Sequence, residues 1–170
     1  DKFDDETVNM TPDYWLQNNK VKNWFVYDQN GNKVYGVKAN NVTTDTWLHV
    51  FETNVEMIGK LYVPASGVTA NSKVGLVIRK TGLQSEAAVR VGYDFAAKKW
   101  YISDDKGVDF EGQVIYAAET SEFALDTWNT IRVYAVGQKV QVYCNNVLVL
   151  ESDEIGQVTT GRVGFYTENT

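Results

Sequence analysis

The chain has 170 residues, 44% of them hydrophobic and 22% charged, which suits one globular domain with a full-sized core and excludes a disordered or low-complexity chain. Its net charge is −6, and its 16 Lys and Arg residues form no cluster that could follow a phosphate backbone. Nucleic acid and anionic membrane surfaces are therefore not expected partners, and no apolar run approaches the ~20 residues of a membrane helix.

The elements read as strands from the first residues. Lys2 to Asp5 is a short strand candidate, followed by the turn-like Asn9-Met10-Thr11-Pro12-Asp13 and an apolar anchor, Tyr14-Trp15-Leu16. Trp24 to Tyr27 is a strand, Asp28 to Asn32 a hairpin turn and Lys33 to Lys38 the return. The turn resembles a calcium loop, but it lacks the downstream bidentate Glu and flanking helices of an EF-hand. Trp47 to Met57 reads as one long strand, with His49 sharing the parity of Trp47 and Phe51 and so half-buried. Val74 to Arg79 is the next strand, with Leu76 and Ile78 on one face and Val77 and Arg79 on the other.

Ala87 to Gly107 is a hairpin. With a turn centred on Ala97-Lys98, Phe95 lies opposite Trp100 and Asp94 opposite Tyr101. One face is then an apolar wall of Val89, Val91, Tyr93, Phe95, Trp100 and Ile102. The other holds Arg90, Gly92, Asp94, Tyr101 and Ser103, which could bind a polar ligand or could face water. Gln113 to Ala118 follows as a strand. Trp128 to Val136, Lys139 to Cys144 and Val147 to Glu151 are three more, joined by Gly137-Gln138 and Asn145-Asn146, and Arg162 to Tyr166 is the last. Cys144, the only cysteine, reads as a buried small hydrophobe. Turn signals every ~8–12 residues and no sustained helical period indicate an all-β, two-sheet antiparallel β-sandwich or barrel, one domain over residues 1–170.

The order GLVIR, VRVGYDFAAKKWYI, DTWNTIRVYAVGQKVQVYCNNVLVL and GRVGFYT resembles the concanavalin A-like, laminin-G-like jelly rolls. The closest family suggested by these motifs is carbohydrate-binding module family 66 of bacterial glycoside hydrolases. The resemblance implies a jelly-roll sandwich and a secreted or cell-surface bacterial module. It would bind a polysaccharide or oligosaccharide, fructan or another glycan, beside a catalytic domain of its parent protein. It further implies a structural calcium ion, for which the candidate ligands are Asp4, Asp5 and Glu168. The chain starts without Met or leader, as a module cut from a larger protein would.

Catalytic signals are sparse. Jelly-roll glucanases carry Glu-x-Asp-x-x-Glu on one strand, and retaining glycosidases need carboxylates ~5–5.5 Å apart. The nearest stretch here, Glu151-Ser152-Asp153-Glu154, lacks the last Glu. Asp104, Asp105, Asp109 and Glu111 read as solvated loop charges. One histidine and one cysteine are too few for a zinc site or a triad. The expected function is non-catalytic carbohydrate binding, with a protein-binding adhesive module as the alternative and a glycan hydrolase or lyase as the third reading.

Sugar sites combine aromatic faces with charged groups that hydrogen-bond vicinal hydroxyls. The face opposite the core supplies Arg79, Arg90, Asp94 and Tyr101, with Glu56 and Tyr166 as neighbours. The plain alternative is an Arg90–Asp94 surface pair worth under ~1 kcal/mol. Trp24, Trp47, Trp100 and Trp128 are expected in the core and Trp15 outside it. On this reading, replacing Arg90 and Asp94 with Ala leaves the fold intact and abolishes binding.

Overall fold

The computed structural model describes residues 3–17, 23–37, 43–82, 87–105, 112–119, 122–156 and 158–169. Thirteen strands appear among them: β1 (Trp15–Gln17), β2 (Trp24–Gln29), β3 (Asn32–Val37), β4 (Thr44–Leu48), β5 (Val55–Tyr62), β6 (Lys73–Lys80), β7 (Ala88–Asp94), β8 (Lys99–Asp105), β9 (Gln113–Tyr116), β10 (Trp128–Val136), β11 (Lys139–Cys144), β12 (Val147–Ser152) and β13 (Arg162–Glu168). They form a seven-stranded sheet in the order β1-β4-β13-β6-β7-β8-β9, a four-stranded sheet β12-β11-β10-β5, and the hairpin β2-β3. Every pairing is antiparallel. The expected two-sheet sandwich is what the sequence builds.

Alternation explains the packing. Leu76, Ile78, Val89, Val91, Tyr93, Trp100 and Ile102 of the large sheet face Met57, Ile131, Val133, Ala135, Val140, Val142 and Leu150 of the small one. Most of these side chains are fully buried, at roughly 1.5–3 kcal/mol each. The small sheet reaches β13 only at its edge strand, where Gly59 of β5 lies against Phe165, and the large sheet continues past it through β4 and β1. There the β2–β3 hairpin takes over: Trp24 and Tyr35 pack on Trp15 and Phe165. Trp24 Nε1 donates to the Thr44 hydroxyl at 3.2 Å, and the Tyr35 and Thr46 hydroxyls bond at 2.8 Å.

Several expectations are corrected. The long strand from Trp47 to Met57 is two strands in different sheets, because the chain crosses between layers over residues 49–54. His49 and Phe51 are therefore exposed rather than inward. The strand candidate at Lys2 to Asp5 is a 3-10 turn, Phe3–Asp5, among the described residues. Trp15 is buried beneath the hairpin, not outside. Trp128 instead lies on the outer face of the small sheet, 43% exposed, against Tyr62. Trp24, Trp47, Trp100 and Cys144 are buried as expected.

The central hairpin keeps its two faces but not its pairing. Tyr93 lies opposite Trp100 and Gly92 opposite Tyr101, so the turn sits nearer the first strand than the sequence suggested. Asp94 causes the shift. Its Oδ1 accepts the Ala96 and Ala97 N–H groups at 2.9 and 3.0 Å, and Lys98 takes a left-handed φ of 54° to close a four-residue turn. A shift of two in the summed register leaves the face of every side chain unchanged.

Candidate functional site

The outer face of the seven-stranded sheet carries one continuous cross-strand row. Asp45 on β4 is paired with Tyr166 on β13, Tyr166 with Gly75 on β6, Gly75 with Gly92 on β7, Gly92 with Tyr101 on β8, and Tyr101 with Tyr116 on β9. Strands β13 and β8 are three steps apart, about 14 Å at ~4.8 Å per step. Yet the Tyr166 and Tyr101 ring centroids are 6.5 Å apart, edge to face. The two rings lean toward each other over the glycine pair. A Cβ at Gly75 would come within 2.1 Å of the Val91 carbonyl oxygen, and one at Gly92 within 2.1 Å of the Val74 oxygen, so neither position admits a side chain. Glycine here lets the β6 and β7 backbones approach closely, and the flanking tyrosines are each 3% exposed despite lying on the open face.

These rings form the floor of a cavity of about 320 Å³ lined by Thr43, Lys73, Arg90, Tyr101, Ser103, Asp105, Val114, Tyr116, Tyr166 and Glu168. Its volume is at the lower end of the ~300–1,000 Å³ range of small-molecule sites. An ion pair stands at each end. Lys73 Nζ is 3.4 Å from the Glu168 carboxylate and 5.8 Å from the Tyr101 ring centre. Arg90 pairs with Asp105, and its guanidinium lies 5.8 Å from the Tyr166 ring centre. Asp45 stands behind, 4.0 Å from Arg90 and 2.9 Å from Lys80 Nζ. Lys80 is 1% exposed and rests on the Trp47 ring at 4.7 Å.

The Tyr166 hydroxyl belongs to a residue that lines this cavity. It is buried and has no hydrogen-bond partner among the described residues. Burial, more than any neighbouring charge, pushes its pKa well above the ordinary tyrosine value, so it is a neutral donor at physiological pH. Buried hydroxyls normally find a partner, and leaving one without costs ~1–3 kcal/mol. A bound polar molecule would supply that partner.

The structure sorts the sequence candidates. Arg90, Tyr101 and Tyr166 are brought together in the cavity. Asp94 is on the same face but is 4% exposed and committed: besides capping its turn it accepts the Tyr116 hydroxyl at 2.9 Å. Arg79 is not on this face. A β-bulge opposite Arg162 and Gly164 flips the strand, and Arg79 takes a φ of 55°. Its guanidinium donates inward to the Thr53 and Val158 carbonyls, and desolvation lowers its pKa. Lys80 takes the outer position instead. Glu56 is on the other sheet, on its exposed face, 3.8 Å from Arg132. Asp4 and Asp5 lie in the 3-10 turn beside β3, and Glu168 is on the outer face of β13 with Lys73. They do not converge, and among the described residues no three His, Cys, Asp or Glu side chains could hold a metal ion. Asp4, Asp5 and Glu168 thus do not form one carboxylate cluster for the ion that the resemblance implies. Asp109 and Glu111 lie outside the described residues.

Parity placed Ser103 on this face, and it lines the cavity; Lys73, Asp105 and Tyr116 were missed. Parity could have found Lys73 and Tyr116, which alternate with core residues. No local pattern marks Asp45 or Lys80, which reach the site through the strand order and the bulge. A second cavity, about 540 Å³, opens between the β2–β3 hairpin and β5; its lining is largely apolar, with Asp28 and Lys60 as its charged residues.

The two-sheet antiparallel sandwich, with a polar, aromatic-floored cavity on its larger sheet, is a concanavalin-like jelly-roll fold. The chain belongs to the 3-keto-alpha-glucoside-1,2-lyase-like domain family, whose profile matches residues 3–170. No curated protein matches it in sequence. Among solved structures it is similar to carbohydrate-binding module CBM66 from Bacillus subtilis (TM-score 0.69, 11% identity, 92% of this chain and 88% of that one). It is also similar to LamA from Z. galactanivorans, solved with laminaritriose and laminaritetraose (0.58, 10%, 99% and 87%). A third is a glycosyl hydrolase-like protein from Parabacteroides distasonis (0.54, 15%, 96% and 91%). At these identities the likeness is one of fold.

Proposed function

We propose that this chain is a non-catalytic carbohydrate-binding module of a secreted or cell-surface bacterial protein that acts on polysaccharide, and that it takes its glycan in the Arg90–Tyr166 cavity. The observation that carries the reading is the buried, unpartnered Tyr166 hydroxyl on the cavity floor. Around it, Arg90 and Lys73 donate and Asp105 and Glu168 accept, which suits hydroxyl groups that do both. The fold similarity to CBM66 supports the class of ligand. Affinity electrophoresis in gels containing levan, inulin or laminarin, and a glycan array, test it. Retardation that is lost in Arg90→Ala is expected. No binding to any glycan by a folded wild-type protein would refute it.

A second reading has one observation in its favour, the family to which the chain belongs. Elimination on a 3-keto-glucoside would move the C2 proton to a base, form C1=C2 and break C1–O, with a proton delivered to the departing oxygen. The carboxylates of Glu168 or Asp105 are the bases in reach of the cavity, and the Tyr166 phenol the donor. Incubation with a 3-keto-glucoside, followed by enone absorbance, separates the two readings: appearance of an enone at a rate abolished by Glu168→Gln or Asp105→Asn establishes the enzyme.

A further inference from the structure

The cavity's cations are already neutralised, and one of the neutralising groups is not in the cavity. Asp105 pairs with Arg90 from within, and Glu168 pairs with Lys73. Asp45 contributes from behind. Its carboxylate is held at 2.9 Å by the buried Lys80 ammonium and stands 4.0 Å from Arg90 on the side away from Asp105. Arg90 is thus clamped between two carboxylates carried by strands at opposite sides of the row, β4 and β8.

We propose that this clamp makes the cavity a site for uncharged glycans, and that Asp45 is a specificity-determining residue although it does not line the cavity. The inference rests on the glycan-binding reading above. A neutral sugar meets donor and acceptor side by side at both ends, Arg90 beside Asp105 and Lys73 beside Glu168. A vicinal hydroxyl pair satisfies both. A uronate or sulfate group brings acceptors alone. It would have to displace Asp105 or Glu168 from its cation, and it would then face a bare carboxylate across a few ångströms. The chain's overall charge of −6 disfavours the same ligands at longer range. Specificity of this kind comes from built-in repulsion as much as from attraction.

The clamp also explains why Lys80 is buried. The bulge that turns Arg79 inward brings Lys80 to the outer face, where Trp47 covers it. Its ammonium holds Asp45 in place, so that Asp45 acts on Arg90 as a fixed charge.

The test uses levan, inulin and laminarin and their lightly carboxymethylated forms, in affinity gels with the whole chain. The wild type is expected to bind a neutral polymer at least ~10-fold more tightly than its carboxymethyl form, about 1.4 kcal/mol. Asp45→Asn and Asp105→Asn each relax that ratio ~3-fold or more, through tighter binding of the acidic polymer that weakens with added salt. Asp45→Asn breaks a buried ion pair and could unfold the chain. Asp105→Asn, partly exposed, frees Arg90 without touching that pair. A wild type that binds acidic and neutral forms equally, or an unchanged ratio in folded Asp105→Asn, overturns the inference while leaving glycan binding standing. Failure to bind any polymer overturns the glycan-binding reading itself.

Discussion

Replacing Tyr166 with Phe should move stability and binding in opposite directions. The substitution keeps the ring and its edge-to-face contact with Tyr101, and it keeps the Arg90 guanidinium above the ring. It deletes one atom, a hydroxyl that is buried and unpartnered among the described residues. Relief of an unsatisfied buried group amounts to ~1–3 kcal/mol, from which some loss of close contact must be subtracted. A net stabilisation of about 1 kcal/mol is expected, or a rise in Tm of ~2–4 °C for a domain of this size. Binding should weaken, because a hydrogen bond that the ligand would make is lost. At ~0.5–1.5 kcal/mol that is a ~3- to 10-fold rise in Kd. Urea denaturation of the free protein gives the first number, and titration with the glycan that retards the wild type gives the second. A destabilisation of more than ~1 kcal/mol in the free protein would mean that the hydroxyl is already satisfied. Unchanged affinity would mean that the ligand does not reach the cavity floor.

Three other outcomes follow from the same geometry. Asp94→Ala should cost ~1–3 kcal/mol in urea denaturation, with Asp94→Asn milder, because Oδ1 caps two N–H groups of the turn and Oδ2 accepts from Tyr116; a neutral effect would restore Asp94 to the solvent-facing role the sequence suggested. Arg79→Met should cost ~2–4 kcal/mol by stranding the Thr53 and Val158 carbonyls, yet leave glycan affinity unchanged, since the side chain points away from the cavity. Burial raises the pKa of Tyr35 to about 12 and pushes that of Tyr166 well above the ordinary tyrosine value. The native state therefore holds protons that the unfolded state, with tyrosines near 10, releases. The contribution of these tyrosines to stability should be flat below pH ~10 and fall above it, by at most ~1.4 kcal/mol per pH unit for each, and thermal melts from pH 8 to 11 in Tyr35→Phe and Tyr166→Phe should show shallower slopes than the wild type.

Individual residues show where sequence reading stops. The two faces of the central hairpin were legible because a period of two survives any even slip in register, and Trp100 and Arg90 fell on the right sides. The turn that sets the register was not legible, because Asp94 could cap it or face solvent with equal local plausibility. Arg79 was misplaced for a related reason. A bulge adds one residue, reverses parity beyond it, and is fixed by the partner strand at Arg162–Gly164, more than eighty positions away. The run from Trp47 to Met57 failed because apolar residues continue on both sides of Glu52-Thr53-Asn54, and alternation does not mark a change of sheet.

What the chain determined by itself is the sandwich: alternation, turn residues and β-branched runs dictate strands with one buried face, and such strands must stack into two layers. What only tertiary structure decided is the site. Its row from Asp45 to Tyr116 draws on six strands whose order is β4-β13-β6-β7-β8-β9, so residues distant in the sequence become neighbours at ~4.8 Å steps. The tilt of Tyr166 and Tyr101 over Gly75 and Gly92, and the clamp on Arg90, exist because of that order. Local preference sets which way a side chain faces, whereas strand order sets what stands beside it.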